Sequence, residues 1–312
     1  MGLARALAEL ESRPGGVGLP DLETTKAADR LRQFIEPNGG LPIERDCRQE
    51  ILAIDLDDLT ETIIPAFLWL RNLAESEGRR VVVGLCGPAA AGKSTLAQLL
   101  CAASNILWGP SKMTTLSMDA YSFPNSYLST EQAEDHAGRP CTLKDIKGHP
   151  KTLDSASLLR DLDRLRAPNA ETILLPAYSR SLHDPVPDRV VVSPECQVIL
   201  LEGLHLLHQE GHWKDIFTAL HRTVFLDIER SCCFDRVVGR KVANGRSRES
   251  SEAHFDRVDG PVWDQLQHEK SRASLTLTVR PTNGRHLNIS YVIVQRIAGD
   301  EQEVDVGDCG RK

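Results

Sequence analysis

The chain has 312 residues, of which 41% are hydrophobic and 26% charged, and its formal net charge is −7. These values are ordinary for a soluble globular protein and exclude whole-chain disorder, a collagen-like repeat and a small disulfide scaffold. The net negative charge argues against a protein that binds nucleic acid through its overall charge, so we expect no nucleic-acid partner. Because only 5% of the residues are aromatic, the core must be mainly aliphatic.

No run of 18 apolar residues occurs, so we predict no membrane-spanning helix and no membrane partner. Charges at Arg5, Glu9, Glu11 and Arg13 interrupt the first residues, unlike the apolar core of a secretory leader. The eight cysteines include no C-x-x-C pair, and several lie inside apolar stretches. We therefore expect buried free thiols and a cytoplasmic location.

The first 50 residues predict weak order, with glycine pairs, prolines and a short helical patch from Ala27 to Ile35. The pattern sharpens at Asp55, where apolar residues begin to recur three and four positions apart. This spacing predicts an amphipathic helix that ends at Gly78. Pro65 lies inside the pattern and predicts a kink.

Short apolar runs then alternate with helical patterns. The first run, Arg80 to Cys86, is followed by a glycine-rich turn and a helical pattern over residues 93–103. Later strands are predicted at Lys112–Met118, Thr172–Leu175, Val190–Val192, Gln197–Leu201, Thr223–Asp227, Leu275–Val279 and Ile289–Val294. The helices predicted between them include Ser155–Arg166, Trp213–Ala219, Arg230–Lys241 and Ser251–His268. This alternation predicts an α/β fold, a mainly parallel sheet with helices on both faces.

Residues 87–94 read GPAAAGKS and fit the phosphate-binding pattern G-x-x-x-x-G-K-[ST] between a strand and a helix. Backbone N–H groups of such a loop cradle a phosphate at the positive end of the helix dipole. Lys93 would neutralise the β- and γ-phosphates of ATP, and the Ser94 hydroxyl would ligate Mg²⁺. A purely structural glycine turn is the alternative, and the strand and helix around the motif disfavour it. The predicted nucleotide-binding residues of the loop are Gly87, Pro88, Ala89, Ala90, Ala91, Gly92, Lys93, Ser94 and Thr95.

Two apolar strands end in an acid. Asp119 follows the strand after the loop, and Glu202 ends the run VILLE. The carboxyl ends of parallel strands meet at the edge of the sheet where ligands bind. We predict that Asp119 takes the proton of an acceptor hydroxyl, and that Glu202 acts with Ser94 on Mg²⁺ or contacts the substrate. For each acid the alternative is a turn or capping residue at a strand end.

A basic segment without acids lies in the second half of the chain, and its cations are Arg236, Arg240, Lys241, Arg246 and Arg248. A lid arginine can stabilise the charge of a phosphoryl group in transfer. We predict this role for Arg240, and nucleotide binding for Arg236. The alternative is a solvated helix face that pairs with nearby acids. For His205, His208 and His212, a helix surface is predicted rather than a metal site, because no recognisable ligand spacing completes one.

Five segments in order resemble the phosphoribulokinase/uridine kinase/pantothenate kinase superfamily of P-loop kinases: GPAAAGKST, SMDAYSFPNSYL, KGHPKTLD, LPAYSRSLHDPV and VILLEGLHLL. The segment VANGRSRESSEAHFDRVDGP resembles the lid of the fructose transport system kinase-like subgroup, also described as uridine kinase-like. The likeness to bacterial type I pantothenate kinase is nearly as good. The resemblance implies a three-layer P-loop sandwich with a lid over about residues 230–260, and an activity that uses ATP and Mg²⁺.

The resemblance also implies roles by position. Asp119 matches the catalytic acid of the superfamily, and Lys93, Arg240 and Glu202 complete the expected catalytic set. The residues that match acceptor contacts are Tyr121, Lys147, Tyr178, His183 and Glu202. The chain departs from the family pattern at Ser122, where many members have His, and at Leu153, where an aromatic residue is usual. These departures bear on the acceptor and leave the triphosphate site untouched.

Together these features predict a small-molecule kinase. It would move the γ-phosphoryl of Mg·ATP to a hydroxyl of a sugar, a nucleoside or a pantothenate-like alcohol. The alternatives are a regulatory P-loop NTPase with no acceptor and a degenerate kinase kept as an interaction module. We expect an N-terminal extension over residues 1–54, a kinase domain over 55–298 and a flexible tail over 299–312, with a homodimer as the candidate assembly.

Overall fold

The computed structural model describes Leu3, Leu7 and residues 22–45, 48–168, 171–279 and 291–294. The strands are β1 (Leu41–Arg45), β2 (Arg48–Leu52), β3 (Val81–Cys86), β4 (Met113–Ser117), β5 (Gln132–Glu134), β6 (Pro140–Thr142), β7 (Ile173–Ser179), β8 (Asp184–Val192), β9 (Val198–Gly203), β10 (Arg222–Ile228), β11 (Leu275–Val279) and β12 (Tyr291–Val294). The main helices are α1 (Leu22–Asn38), α2 (Ile64–Glu77), α3 (Lys93–Leu107), α4 (Asn125–Leu128), α5 (Ser155–Arg166), α6 (His212–Ala219), α7 (Arg230–Ala243), α8 (Arg248–His254) and α9 (Gly260–Glu269).

Within the described ranges, the central sheet has the order β12–β11–β10–β3–β9–β4. β3 pairs in parallel with β9 and β10, while β12 runs antiparallel to β11 at the edge. Alternate residues of β3 face opposite layers: Val81, Val83 and Leu85 pack with α2 and α3, whereas Val82 and Cys86 pack with α5 and α6. Because both faces of this strand are buried, its sequence is apolar throughout. The predicted three-layer α/β fold is confirmed.

The strand order places the predicted acids at one edge. β9 lies between β3 and β4, and Glu202 stands opposite Leu85 on one side and Ser117 on the other. The connection from β3 through α3 to β4 therefore crosses over β9. Such a reversal of strand order opens a crevice at the carboxyl ends of the strands, where ligands of α/β sheets bind.

The strands predicted at Thr172–Leu175 and Val190–Val192 do not join this sheet. They belong to an antiparallel hairpin, β7–β8, with Leu174 opposite Val191. Both strands extend toward each other beyond the predicted runs, so only residues 180–183 connect them, whereas a parallel pair would need a long crossover. A second hairpin, β5–β6, was not predicted, because its strands are only three residues long.

Residues 22–45 and 48–54 are more ordered in the structure than their sequence predicts. The predicted helical patch belongs to α1, whose Ala27 and Leu31 are buried against the layer of α2 and α3. Arg30 of α1 donates hydrogen bonds to the Ile106 and Leu107 carbonyl oxygens at 2.6 and 3.0 Å, at the end of α3. β1 and β2 form an unpredicted hairpin, whose buried Leu41 extends the same core.

Two predicted helices contain a π-helical turn that the sequence did not predict. Pro65 lies inside helical backbone, as predicted, directly after a π-helical turn at Leu59–Ile63. Proline has no N–H to donate to the preceding turn, and π-helical turns occur where the regular hydrogen-bond ladder is interrupted. The predicted end at Gly78 is confirmed, with a left-handed φ of 60°. The helix predicted over Ser251–His268 is confirmed as helical backbone, with a π-helical turn at Phe255–Asp259 between α8 and α9.

In the described part of the chain, no helix is both long enough and apolar enough to cross a bilayer. Six cysteines fall in that part and are unpaired, and four of them are buried. The tail predicted at 299–312 lies outside the described residues, as do residues 289–290 of the last predicted strand.

Candidate active site

The phosphate-binding motif forms a tight loop between β3 and α3. Gly87 lies against β10, since a Cβ at this position would sit 2.5 Å from the backbone oxygen of Leu226. Ala90 and Gly92 have positive φ values of 58° and 95°, so the backbone turns sharply before α3 begins at Lys93. The loop thus delivers the unpaired N–H groups of the first helical turn to the ligand edge of the sheet. This cradle fits the phosphates of a nucleotide.

Lys93 is held over the same loop. Its Nζ donates to the carbonyl oxygens of Gly87 and Pro88 at 2.8 and 2.7 Å. Burial lowers the pKa of Lys93, and the negative charges of Glu202 and Asp119 counteract that effect. The ammonium group therefore lies within the electrostatic reach of both predicted acids.

Ser94 and Glu202 join the loop helix to the strand beside it. Ser94 Oγ donates to Glu202 Oε2 at 2.5 Å. Burial raises the pKa of Glu202, while the Ser94 hydrogen bond and the Lys93 charge oppose the shift. A hydroxyl and a carboxylate are hard oxygen donors that suit Mg²⁺, which also takes phosphate oxygens and water. Across the described residues, no group of three or more His, Cys, Asp or Glu side chains could hold a metal ion. A magnesium ion here would therefore depend on Ser94, Glu202 and substrate phosphates.

Asp119 stands at the end of β4 in a 3₁₀ turn, Met118–Tyr121, that packs against the end of β9. A Cβ on Gly203 would lie 2.8 Å from Met118 Cβ, so the absence of one lets the two strand ends approach closely. The Asp119 carboxylate is exposed. Burial lowers the pKa values of Lys93 and Lys147 and raises those of Glu202 and Tyr178, and the Asp119 charge acts on all four groups in the raising direction. Asp119 therefore acts electrostatically on the triphosphate loop and on a second group of polar residues.

Lys147 is the centre of that second group. Its Nζ donates to Asn125 Oδ1 at 3.0 Å and to the carbonyl oxygen of His183 at 2.7 Å, and it lies 5.2 Å from the ring centroid of Tyr178. Burial raises the pKa of Tyr178 to about 12. The residues come from the end of the Leu143–Ile146 turn, α4 and the β7–β8 hairpin, so the hairpin lies beside the turn that carries Asp119.

Two other predicted acceptor contacts, His183 and Tyr121, do not bring their side chains to Lys147. His183 brings its backbone carbonyl to Lys147, with a left-handed φ of 54°, while its side chain is exposed. Tyr121 is buried, and its hydroxyl donates to Asp161 Oδ2 at 2.9 Å. That hydroxyl is not among the groups that meet around Lys147. Tyr121 lines a separate open cleft of about 300 Å³ beside the N-terminus of α5.

Helix α7 carries the predicted lid arginines and touches the loop. Arg236 Nη1 donates to the Ala90 carbonyl oxygen at 3.3 Å, and Cys233 Sγ donates to that of Ala89 at 3.2 Å. Arg240 is exposed one turn further along, and Lys241 pairs with Asp259 at 2.5 Å. The structure thus brings Arg236 to the nucleotide loop and leaves the Arg240 side chain at the surface of the same helix.

Two of the three histidines after Glu202, His205 and His208, do not lie on a helix surface as predicted. His205 is completely buried in the turn after β9, and its Nε2 bonds the Gly148 carbonyl oxygen at 2.6 Å. Burial lowers the pKa of His205 to about 4. His208 bonds Glu269 at 2.8 Å, and only His212 is an exposed helical residue, at the start of α6. The chain turns between the end of β9 at Gly203 and the start of α6 at His212, and both His205 and His208 lie in that turn.

Sequence reasoning missed three residues of the site, namely Asn125, Arg180 and Asp184. Asn125 N–H donates to Asp184 Oδ1 at 2.7 Å, which ties α4 to the hairpin. The positive charge of Arg180 acts on both Glu202 and Tyr178. No spacing rule links these residues, because the hairpin that assembles them was not recognised. The segment LPAYSRSLHDPV carries two of them and was the available signal.

A strand, phosphate loop and helix, with acids ending two neighbouring strands, define a P-loop nucleotide-binding protein. The signature of the Phosphoribulokinase / Uridine kinase family matches residues 82–284, and the chain belongs to this family. The predicted small-molecule kinase class is confirmed.

Three relatives illustrate the likeness. A uridine kinase of Shewanella pealeana is 30% identical over 219 residues, covering 70% of this chain and 95% of its own. The uncharacterised protein YggC of Escherichia coli K12 is 28% identical over 208 residues, covering 67% of this chain and 81% of its own. The crystal structure of a Silicibacter sp. TM1040 protein described as a fructose transport system kinase matches with a TM-score of 0.56 at 24% identity. That match covers 66% of this chain and 98% of the other, and it carries the fold alone.

Proposed function

We propose that the protein transfers the γ-phosphoryl group of ATP to a hydroxyl of a small metabolite, with Asp119 as the general base. The observation that carries the proposal is the position of Asp119, whose charge acts on Lys93 and Glu202 on one side and on Lys147 and Tyr178 on the other. A phosphoryl donor bound at the loop and an acceptor bound at Lys147 would meet at this carboxylate.

The chemistry follows from those positions. The loop N–H groups and Lys93 bind the β- and γ-phosphates, which orients the γ-phosphorus toward Asp119. The acceptor oxygen forms a bond to phosphorus as its proton passes to the Asp119 carboxylate. The bond from phosphorus to the bridging oxygen breaks, and ADP leaves with that electron pair. Lys93 and the lid arginines stabilise the charge on the transferred group.

Ser94 and Glu202 would hold a magnesium ion, which supplies neutralisation of phosphate charge when bound. The short Ser94–Glu202 hydrogen bond supports this assignment, because both oxygens are already directed to the same point beside Lys93. Arg236 supports nucleotide binding through its contact with the loop carbonyl of Ala90. We propose that Arg240 contacts the transferred phosphoryl group, because it lies one helical turn beyond Arg236.

The acceptor classes that the site supports are a sugar, a nucleoside and a pantothenate-like alcohol. Relatives named uridine kinase favour a hydroxylated metabolite of this size. The kinase unit is proposed to span residues 55–298, with residues 1–54 as an extension that packs on it through α1 and β1.

A regulatory NTPase is the second candidate, favoured by the complete phosphate loop alone. The two differ in acceptor dependence, since a kinase releases ADP in proportion to added alcohol and a regulatory NTPase does not. Steady-state ADP release should be measured with Mg·ATP and a panel of sugars, nucleosides and pantothenate-like alcohols, with the phosphorylated product identified by mass spectrometry. We expect at least one acceptor to raise the rate far above that without acceptor. Equal ADP release with every alcohol and without any would overturn the proposal.

A further inference from the structure

We propose that His205 is a positioning residue, which fixes the segment that carries Lys147 relative to the ligand edge of the sheet. This inference rests on the proposed function, because it concerns how an acceptor bound at Lys147 is placed against Asp119 and Glu202. It is carried by one buried hydrogen bond, which the His205 Nε2 atom donates to the carbonyl oxygen of Gly148 at 2.6 Å.

That bond joins the two sides of the proposed site. His205 lies two residues beyond the end of β9 and three beyond Glu202. Gly148 directly follows Lys147, 57 residues earlier in the chain, and its φ of 105° turns the backbone sharply there. A hydrogen bond to the Gly148 carbonyl therefore fixes the backbone next to Lys147.

The turn that carries His205 is itself anchored on two sides. Gly203 packs closely on the turn of the proposed base, since a Cβ on it would lie 2.8 Å from Met118 Cβ. His208 bonds Glu269 Oε1 at 2.8 Å, which ties the same turn to the end of α9. His205 thus refers the acceptor segment to a fixed point beside the sheet edge.

The segment after Lys147 is held at its other end by backbone contacts. The Phe123 N–H donates to the Thr152 carbonyl oxygen at 3.0 Å, and the Asp154 N–H donates to that of Tyr121 at 2.7 Å. These bonds act four to six residues beyond Gly148. The His205 bond therefore acts on the end of the segment that is nearest to Lys147.

Packing alone does not account for an imidazole at this position. His205 is completely buried, and so are Leu206 and Leu207 beside it. A carbonyl oxygen only accepts, so Nε2 carries the proton and Nδ1 is left as an acceptor. Among the described residues Nδ1 has no hydrogen-bond partner, which is destabilising. An apolar side chain would avoid that cost, but it could not bond the Gly148 carbonyl.

His205→Gln and His205→Met test this role, because the two side chains are similar in length and only glutamine can donate. The glutamine Nε2 lies three bonds from Cβ, as the imidazole Nε2 does, so it can restore the bond to Gly148. The assay is ADP release with ribose, fructose, uridine or pantothenate, whichever alcohol the unmodified protein phosphorylates. ATP affinity is measured by calorimetry.

We expect His205→Met to lower kcat/KM for the alcohol by about tenfold to a hundredfold, as for the loss of one hydrogen bond that orients a reactant. The Kd for ATP should not change, and His205→Gln should recover most of the lost kcat/KM. Amide hydrogen exchange over residues 146–153 should be faster in His205→Met than in His205→Gln. His212→Met, at an exposed histidine in the first turn of α6, is the matched control and should change none of these values.

The outcomes separate a positioning role from a merely structural one. An unchanged kcat/KM in His205→Met, an equal loss in the methionine and glutamine variants, or an ATP affinity that falls by the same factor overturns the inference and leaves the kinase proposal standing. If His205→Met does not fold, His205→Asn replaces it, because its amide nitrogen lies only two bonds from Cβ and is too short to reach. If the unmodified protein phosphorylates none of the four alcohols, the inference falls together with the proposed function.

Discussion

Ser94 Oγ donates a hydrogen bond to Glu202 Oε2 at 2.5 Å, and this contact joins the first turn of α3 to the end of β9 across 108 residues of sequence. It places a hydroxyl and a carboxylate beside Lys93, and these two oxygens would hold a magnesium ion. The predicted metal ligands therefore lie together in the structure, although their common role remains a proposal.

Glu202→Gln should leave the fold intact and lower phosphoryl transfer by about a hundredfold or more, because a neutral amide is a poorer ligand for Mg²⁺. The apparent Mg²⁺ requirement should rise with it. The measurement is kcat against magnesium concentration at saturating ATP. Glu210→Gln removes a largely exposed acid eight residues later and should change neither quantity. An unaltered magnesium profile in Glu202→Gln would exclude this residue from the metal site.

Gly87→Ala should destabilise the protein, because the new Cβ would meet the Leu226 carbonyl oxygen at 2.5 Å and the φ of 140° disfavours a side chain. We expect the free energy of unfolding to fall by about 2 kcal/mol or more. Urea unfolding followed by circular dichroism measures it. Gly239→Ala in α7, where nothing lies within 4 Å, should instead stabilise the protein by about 0.5–1 kcal/mol. Equal stability of the two variants would show that the loop does not press on β10.

His205 should make the protein sensitive to acid. Burial lowers its pKa from 6.5 to about 4, so the folded state binds fewer protons than the unfolded state between these values. Above pH 6.5 the imidazole is neutral in both states, so His205 does not lower the free energy of unfolding. As the pH drops from 6.5 toward 4, the unfolded state takes up the proton first, and the free energy of unfolding falls by about 3 kcal/mol. The unfolding free energy of His205→Asn should depend less steeply on pH in that window. Some slope will remain, because the pKa of His149 is also lowered to about 4.

His212→Asn is the control for this experiment, since His212 is exposed at the start of α6. It should keep the pH dependence of the unmodified protein. Parallel profiles for His205→Asn and the unmodified protein would contradict a buried neutral imidazole.

Substitutions of the two lid arginines should affect different steps, ATP binding for Arg236 and phosphoryl transfer for Arg240. Arg236 touches the loop carbonyl of Ala90, so Arg236→Gln should weaken ATP binding by about tenfold, measured by calorimetry. Arg240→Gln should retain ATP binding and lower kcat by about a hundredfold, because its proposed contact forms only with the transferred group. Arg248→Gln, at a 71% exposed side chain, is the matched control and should change neither value. An unchanged kcat in Arg240→Gln would show that Arg240 does not act on the transferred group.

The nucleotide side of the site could be predicted from local sequence. The loop, Lys93 and Ser94 lie within eight consecutive residues, and Asp119 and Glu202 each end an apolar strand, so local spacing and the rules of parallel sheets suffice. The acceptor side could not be predicted in this way. Asn125, Lys147 and Arg180 lie on three short irregular elements that meet only after the β7–β8 hairpin folds over them.

The histidines illustrate the same limit. The run LHLLH contains the three- and four-residue spacings of an amphipathic helix, yet His205 lies in a buried turn. Its hydrogen bond to the Gly148 carbonyl oxygen compensates for removing the ring from water. That partner lies 57 residues away, and periodicity reports only on neighbours along the chain.

The most direct test of the central claim is a single-turnover measurement on Asp119→Asn with γ-labelled ATP and the acceptor found in the panel. We predict unchanged ATP affinity and a loss of labelled acceptor of about a hundredfold or more, because the amide cannot take the hydroxyl proton. Asp163→Asn, at an exposed acid on α5, should transfer label at the rate of the unmodified protein. Transfer by Asp119→Asn at the unmodified rate would contradict the assignment of Asp119 as the base on which the proposed reaction depends.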